Sequence, residues 1–226
     1  MTRHDARVQG LVNDGRISPD EGERLRRALR GHSLALTIVR NPVEYLRPRW
    51  AWMLAISVVV ASLAVSQLGV RFDGALDVHR VAGTPAWRTA FVDQFVAVPF
   101  TALVFWLASL AVWRRGRWQD FALAAAIARV PALLLCVWSL LVVPDVPGPE
   151  EIVRMAQSGE VPVRLLISNL VSLPLLASMI FWLHRGFAFS AGARGPGAGV
   201  TFVVALVVAE VASKPLIAAM IRGVTW

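Results

Sequence analysis

Cysteine occurs once, at Cys136, and lysine once, at Lys214, in a chain of 226 residues. A lone cysteine excludes an intramolecular disulfide and a cysteine-built metal cluster, and its place within an apolar run reads as a small buried apolar residue. Charge is scarce too. Only 17% of the residues are charged and 56% are hydrophobic, against about 25% and about 45–50% in soluble domains. With a mean hydropathy of +0.58, this composition excludes an ordinary soluble domain and points to membrane spans. Reaction signatures are missing as well: there is no P-loop, HExxH, GxSxG, CxxC or GxGxxG. The four histidines (His4, His32, His79 and His184) fall on different segments and do not make a metal site among themselves. No enzyme and no cofactor are therefore expected.

The first fifty residues hold no apolar run and mix Asp and Glu with Arg. Neither a secretory signal nor an acid-poor transit peptide fits, so the first span is expected to act as its own insertion signal. The net charge of +8 and pI near 11.4 could suggest nucleic acid, but the arginines lie on particular loops and form no single basic run. No nucleic-acid partner is expected.

Five segments are long and apolar enough to cross a bilayer: Trp50 to Val70, Phe91 to Trp113, Phe121 to Val143, Leu165 to Leu183, and Val200 to Ile221. The expected fold is all-α, a polytopic bundle of five transmembrane helices over residues 50–226. Its direction follows from the loops. The amino-terminal tail is dense in arginine, the second to third connection reads "RRGRWQD", and the fourth to fifth reads "HRGFAFSAGARGPGAG" with no acid. Arg71 to Ala90 and Pro144 to Arg164 carry acids instead. Lys and Arg of short loops stay cytoplasmic, so the N-terminus is expected inside and the C-terminus outside. Tryptophan agrees: Trp50, Trp52, Trp113, Trp118 and Trp182 fall at the cytoplasmic ends, and Trp87, Trp138 and Trp226 at or near the outer ends.

Residues 1–31 read as a cytoplasmic helical hairpin. Gly15 breaks a first helix, "SPDE" is a capping box with Ser18 as N-cap and Glu21 reaching back, and Gly31 closes the second helix. Val8, Leu11, Leu25 and Leu29 belong to a thin apolar seam that is too small to hold alone below about 40 residues. These four are candidate partner-binding residues, for another membrane protein, a second copy or the lipid bilayer. Residues 32–49 read as an interfacial linker, and "GPEEIVRMAQSG" as a short interfacial helix with Ile152, Val153 and Met155 towards lipid.

Three formal charges lie within spans: Arg129, Glu210 and Lys214. Each costs about 2.5–3.5 kcal/mol at a helix centre when unpaired, so pairing is expected. Glu210 and Lys214 stand four apart on one helical face, acid first. Arg129 and Glu210 lie at about 12 and about 15 Å depth by helical rise, which makes a triad of Arg129, Glu210 and Lys214 geometrically possible. Asn169, with Ser168 and Ser172, reads as interhelical polar glue that completes an intramembrane polar network. Asp93 and Gln94 are expected at the outer interface, where water can solvate them.

The stretch "LTIVRNPVEYLRPRW" entering the first span, with "RGRWQDFALAAAIARVPALLL" and "FWLHRGFAFSAG", resembles bacterial members of the Yip1 domain family over Leu34 to Ile221. The tail resembles a separate helical hairpin of the GxISxEE type found in bacterial membrane and envelope proteins. The resemblance implies a membrane-embedded adaptor or organiser without a defined activity, seated in the bacterial cytoplasmic (inner) membrane, and carries over no catalytic residue. The alternative reading is a small-molecule or lipid transport component that uses Arg129, Glu210 and Lys214.

Overall fold

The computed structural model describes residues 3–23, 42–46, 48–81, 83–114, 116–142, 149–159 and 162–223. Among them the chain is almost wholly helical, and five helical segments are long and apolar enough to cross a membrane. The polytopic all-α architecture expected from composition is the one observed.

The tail opens with α1 (Arg3–Asn13), which ends at Gly15 in the left-handed region at φ 68°. The capping box forms. The Ser18 amide donates to Glu21 Oε2 at 2.8 Å and the Glu21 amide donates to Ser18 Oγ at 3.2 Å, starting a helical turn over 19–23. Val8 is buried and Leu11 half-buried. A Cβ at Gly22 would meet Val12 Cγ2 at 2.5 Å, so glycine is what lets the two arms touch. Leu25, Leu29, Gly31 and residues 32–41 lie outside the described residues. A single turn, α2 (Pro42–Tyr45), leads to the first span.

That span, α3 (Pro48–Ser66), buries Ala51, Ala55, Val58, Ser62 and Ser66, every third or fourth residue, and leaves Trp52, Met53, Ile56 and Val60 exposed. Small residues on the packed face let helices approach closely, and the two serine hydroxyls bond back to the carbonyls of Val58 and Ser62 at 2.8 Å. The chain then forms an antiparallel pair, β1 (Val70–Arg71) with β2 (His79–Arg80), in register Val70 to Arg80 and Arg71 to His79. The second span is α4 (Trp87–Trp113).

The third span is split. α5 (Trp118–Ile127) and α6 (Val130–Val142) meet at a tight turn over 128–129, where Arg129 N–H bonds to the Ala126 carbonyl at 3.2 Å. Pro131 supplies no N–H for the Ile127 carbonyl, which accounts for the break. Then come α7 (Pro149–Ser158), α8 (Val163–Ala191) and α9 (Pro196–Gly223). On α7, Val153 and Arg154 are exposed and Met155 is half-buried.

In the bundle α9 packs along α4, α8 along α6 and α5, and α5 touches α3, α4 and α8. α5 is accordingly the innermost segment, with Phe121, Leu123 to Ala128 and Arg129 all buried. The end where α3, α5 and α9 begin is the tail end; the opposite end, carrying the β1–β2 segment, is the loop end. Helix limits differ from the sequence reading: the first span ends at Ser66 and leaves Val70 to β1, and the second begins at Trp87 instead of Phe91. The fourth span does not stop at Leu183 but runs eight residues further, to Ala191, because Phe187 and Ala191 are fully buried against the bundle. Gly192 at φ 60° then ends it.

Candidate functional site

The loop end is capped by residues 67–81, which fold into the bundle instead of lying over it. Val70 and Phe72 are 1% and 0% exposed, although they lie between two spans. Beneath this cap sits Arg129, 2% exposed. Its Nη1 donates to Gln94 Oε1 at 3.0 Å and its Nη2 donates to the Gly74 carbonyl at 2.8 Å. The Phe72 ring centroid lies 5.7 Å from the guanidinium carbon, a cation–π distance. The carboxylates of Asp93 and Glu210 balance the charge through space.

The expected triad is therefore corrected in one limb. Glu210 and Lys214 do pair across one helical turn, Oε1 to Nζ at 3.4 Å. Arg129 makes its hydrogen bonds to the second span and the loop, not to Glu210. Glu210 faces the loop as well: its Oε2 accepts the Leu76 amide at 2.8 Å, and a Cβ on Gly74 would lie 2.6 Å from its Oε1. Gly74 is thus held between the two charges, with its carbonyl on Arg129 and its Cα against Glu210. The third and fifth spans are joined through a loop residue that lacks a side chain.

Two further ion pairs complete the cap. Arg71 grips Asp93 with two parallel bonds, Nε to Oδ2 at 3.0 Å and Nη2 to Oδ1 at 2.8 Å. This bidentate geometry holds the Arg71 guanidinium above its ordinary range. Lys214 Nζ lies 2.5 Å from Asp77 Oδ2, and Asp77 Oδ1 shares a hydrogen bond with His79 Nδ1 at 3.2 Å. Burial works to raise the Asp77 carboxyl, but its bonds to Lys214 and His79 outweigh this and hold it below its ordinary range. Asp73, Asp77 and His79 each place one donor atom within 4.8 Å of the others, so two half-buried carboxylates gather around one exposed imidazole.

Asp93 and Gln94, expected in water, are each 1% exposed. The reason is the cap, which covers the first turns of α4 and supplies Arg71 as counter-charge. Asn169 is not brought to Arg129, Glu210 or Lys214. It stands exposed on α8 and, with Ser168 and Ser172, lines a separate cleft. The network thus contains Arg71, Gly74, Asp77, Asp93 and Gln94 in addition to the residues singled out from the sequence. A signal for the buried loop was available: over residues 70–78, Val70, Phe72, Leu76 and Val78 put an apolar residue at every even position but one, alternating with Arg71, Asp73 and Asp77.

Comparison of the chain with protein-family models, curated proteins and solved structures gives no match.

Proposed function

We propose that the chain is a non-enzymatic integral membrane protein of the bacterial inner membrane that serves as adaptor or organiser for other membrane proteins, with its amino-terminal tail in the cytoplasm. The carrying observation is the use made of the charges within the spans. Arg129 is held by Gln94 and Gly74, Glu210 by Leu76 and Lys214, and Lys214 by Asp77. Groups spent on fixing one loop to three spans build a rigid frame, whereas a proton or ion path needs polar groups with two available arrangements. The tail hairpin, whose apolar seam in the sequence is thin, suits the part of the handle. The reading also agrees with what the Yip1 resemblance implies.

The test is isolation from native membranes in a mild detergent, with mass spectrometry of what remains bound. A stoichiometric protein lost on trimming residues 1–31 supports the adaptor; retention of the same partner by the trimmed chain removes the hairpin from that role. Transport that uses the intramembrane charges Arg129, Glu210 and Lys214 is the competing reading. Flux in reconstituted vesicles that Glu210→Gln abolishes would establish it in place of the adaptor.

A further inference from the structure

A cleft of about 250 Å3 opens at the loop end between β2, α6 and α8. His79 and Arg80 stand at its rim, Ser139 lines it from α6, and Ser168, Asn169 and Ser172 line it from α8. Val78, Leu135 and Ser172 also border a second cleft of about 170 Å3, whose remaining wall is apolar apart from Asp77 and includes Leu173, Leu176 and Met179. The two adjoin along α8, polar part first and apolar part deeper in the span.

The hydrogen bonding of the upper cleft is incomplete. Ser172 Oγ donates to the Ser168 carbonyl at 2.7 Å. Ser139 and Asn169 have no polar partner among the described residues. Ser139 lies about 5 Å from the end of α6 and Asn169 about 9 Å from the start of α8 by helical rise, the level at which headgroups give way to acyl chains. Polar groups at that depth are stable when something satisfies them. A guanidinium has five N–H donors, so Arg80 can hold an anion beside any protein partner. Two carboxylates stand beside His79: Asp77 is paired with Lys214, and Asp73, 3.5 Å from His79 Nδ1, faces the Arg71 charge, so the anion position falls to Arg80.

We infer that the paired clefts bind a phosphate-bearing glycerolipid. Its phosphate sits at Arg80, its ester and glycerol oxygens meet Asn169 Nδ2 and the Ser139 hydroxyl, and one acyl chain lies over Leu173, Leu176 and Met179. A helix is about 10 Å across with its side chains, too wide for a cleft of this volume, so a lipid is the occupant that fits. This inference is independent of the adaptor reading and concerns the opposite end of the bundle from the tail.

The test uses the full chain in detergent, incubated with phosphatidylglycerol, phosphatidylcholine or glycerol 3-phosphate and examined by native mass spectrometry. The expected result is one retained phosphatidylglycerol, at least tenfold preferred over phosphatidylcholine, with glycerol 3-phosphate failing to displace it. Arg80→Gln should abolish the preference, and Leu176→Trp, which fills the lower cleft, should abolish retention. Asn169→Leu, at an exposed site without a protein partner, should keep the thermal transition and weaken retention several-fold, and it carries the test if the tryptophan variant does not fold. Equal retention of both lipids, unmoved by Asn169→Leu, would overturn the site as mere annular lipid. Displacement by glycerol 3-phosphate would overturn it in favour of a water-soluble phosphate ligand.

Discussion

The two ends of the bundle are held by different forces. At the tail end, Phe105, Phe121, Phe187 and Phe202 pack with Trp113, the Phe187 centroid lying 5.4 to 6.0 Å from those of the other four rings. Phe105, Phe121 and Phe187 are 0% exposed. At the loop end the second, third and fifth spans are joined by Arg129, Arg71, Asp93, Asp77, Lys214 and Glu210 through a loop. Packing of rings adapts to small shifts and carries no charge, whereas a buried guanidinium demands fixed acceptors. The tail end therefore contributes cohesion, and the loop end fixes which parts of the second, third and fifth spans face one another.

That contrast can be broken at either end. The largest effect is expected from Phe187→Ala, which removes the ring common to the tail-end contacts; about 3–5 kcal/mol of stability should be lost. Thermal unfolding in detergent measures it, and residues 67–81 should keep their protection from hydrogen exchange below the transition. Arg129→Leu comes next at about 2–3 kcal/mol, since it strips Gln94 Oε1 and the Gly74 carbonyl of their donor while relieving a buried charge. Here hydrogen exchange should rise across residues 67–81 and leave α5 protected. A variant equal to the original protein on both measures would end the tether reading.

Gly74→Ala should cost about 1–3 kcal/mol by pushing the loop off Glu210, with the Leu76 amide exchanging first. The smallest effect is acid sensitivity. The Asp77 carboxyl is held below its ordinary value of 3.8, so its contribution to stability is complete above that pH. It is lost as the pH falls through the lowered folded value. The exposed pair is expected to give less than about 1 kcal/mol. Asp77→Asn should remove this part of the acid response and leave the aromatic end unmoved, which a pH series of melting curves would display.

Much of the bundle was legible in the sequence because insertion into lipid imposes length and apolarity on each span, and both can be counted. Gly15 and the Ser18–Glu21 box were readable because caps depend on residues three apart. The Glu210–Lys214 pair was readable for the same reason, being one helical turn in one segment. The partner of Arg129 was not. Gln94 is 35 residues away and Gly74 is 55, and a glycine carbonyl has no sequence signature as an acceptor. Asp93 and Gln94 were misplaced into water because a loop between spans was taken to stay in solvent. The extension of α8 through Phe187 was missed because Arg185, exposed on the helix, reads as the start of a loop.

The loop-end cap has an order written into it. Gly74 and Gln94, which receive Arg129, are synthesised before it, and Asp77 and Leu76, which receive Lys214 and Glu210, are synthesised long before the fifth span. Chains are made from the amino terminus, so each of these late charges enters the membrane with its partner already made. The fifth span, made after the other four, closes onto a loop that the first three spans can position without it.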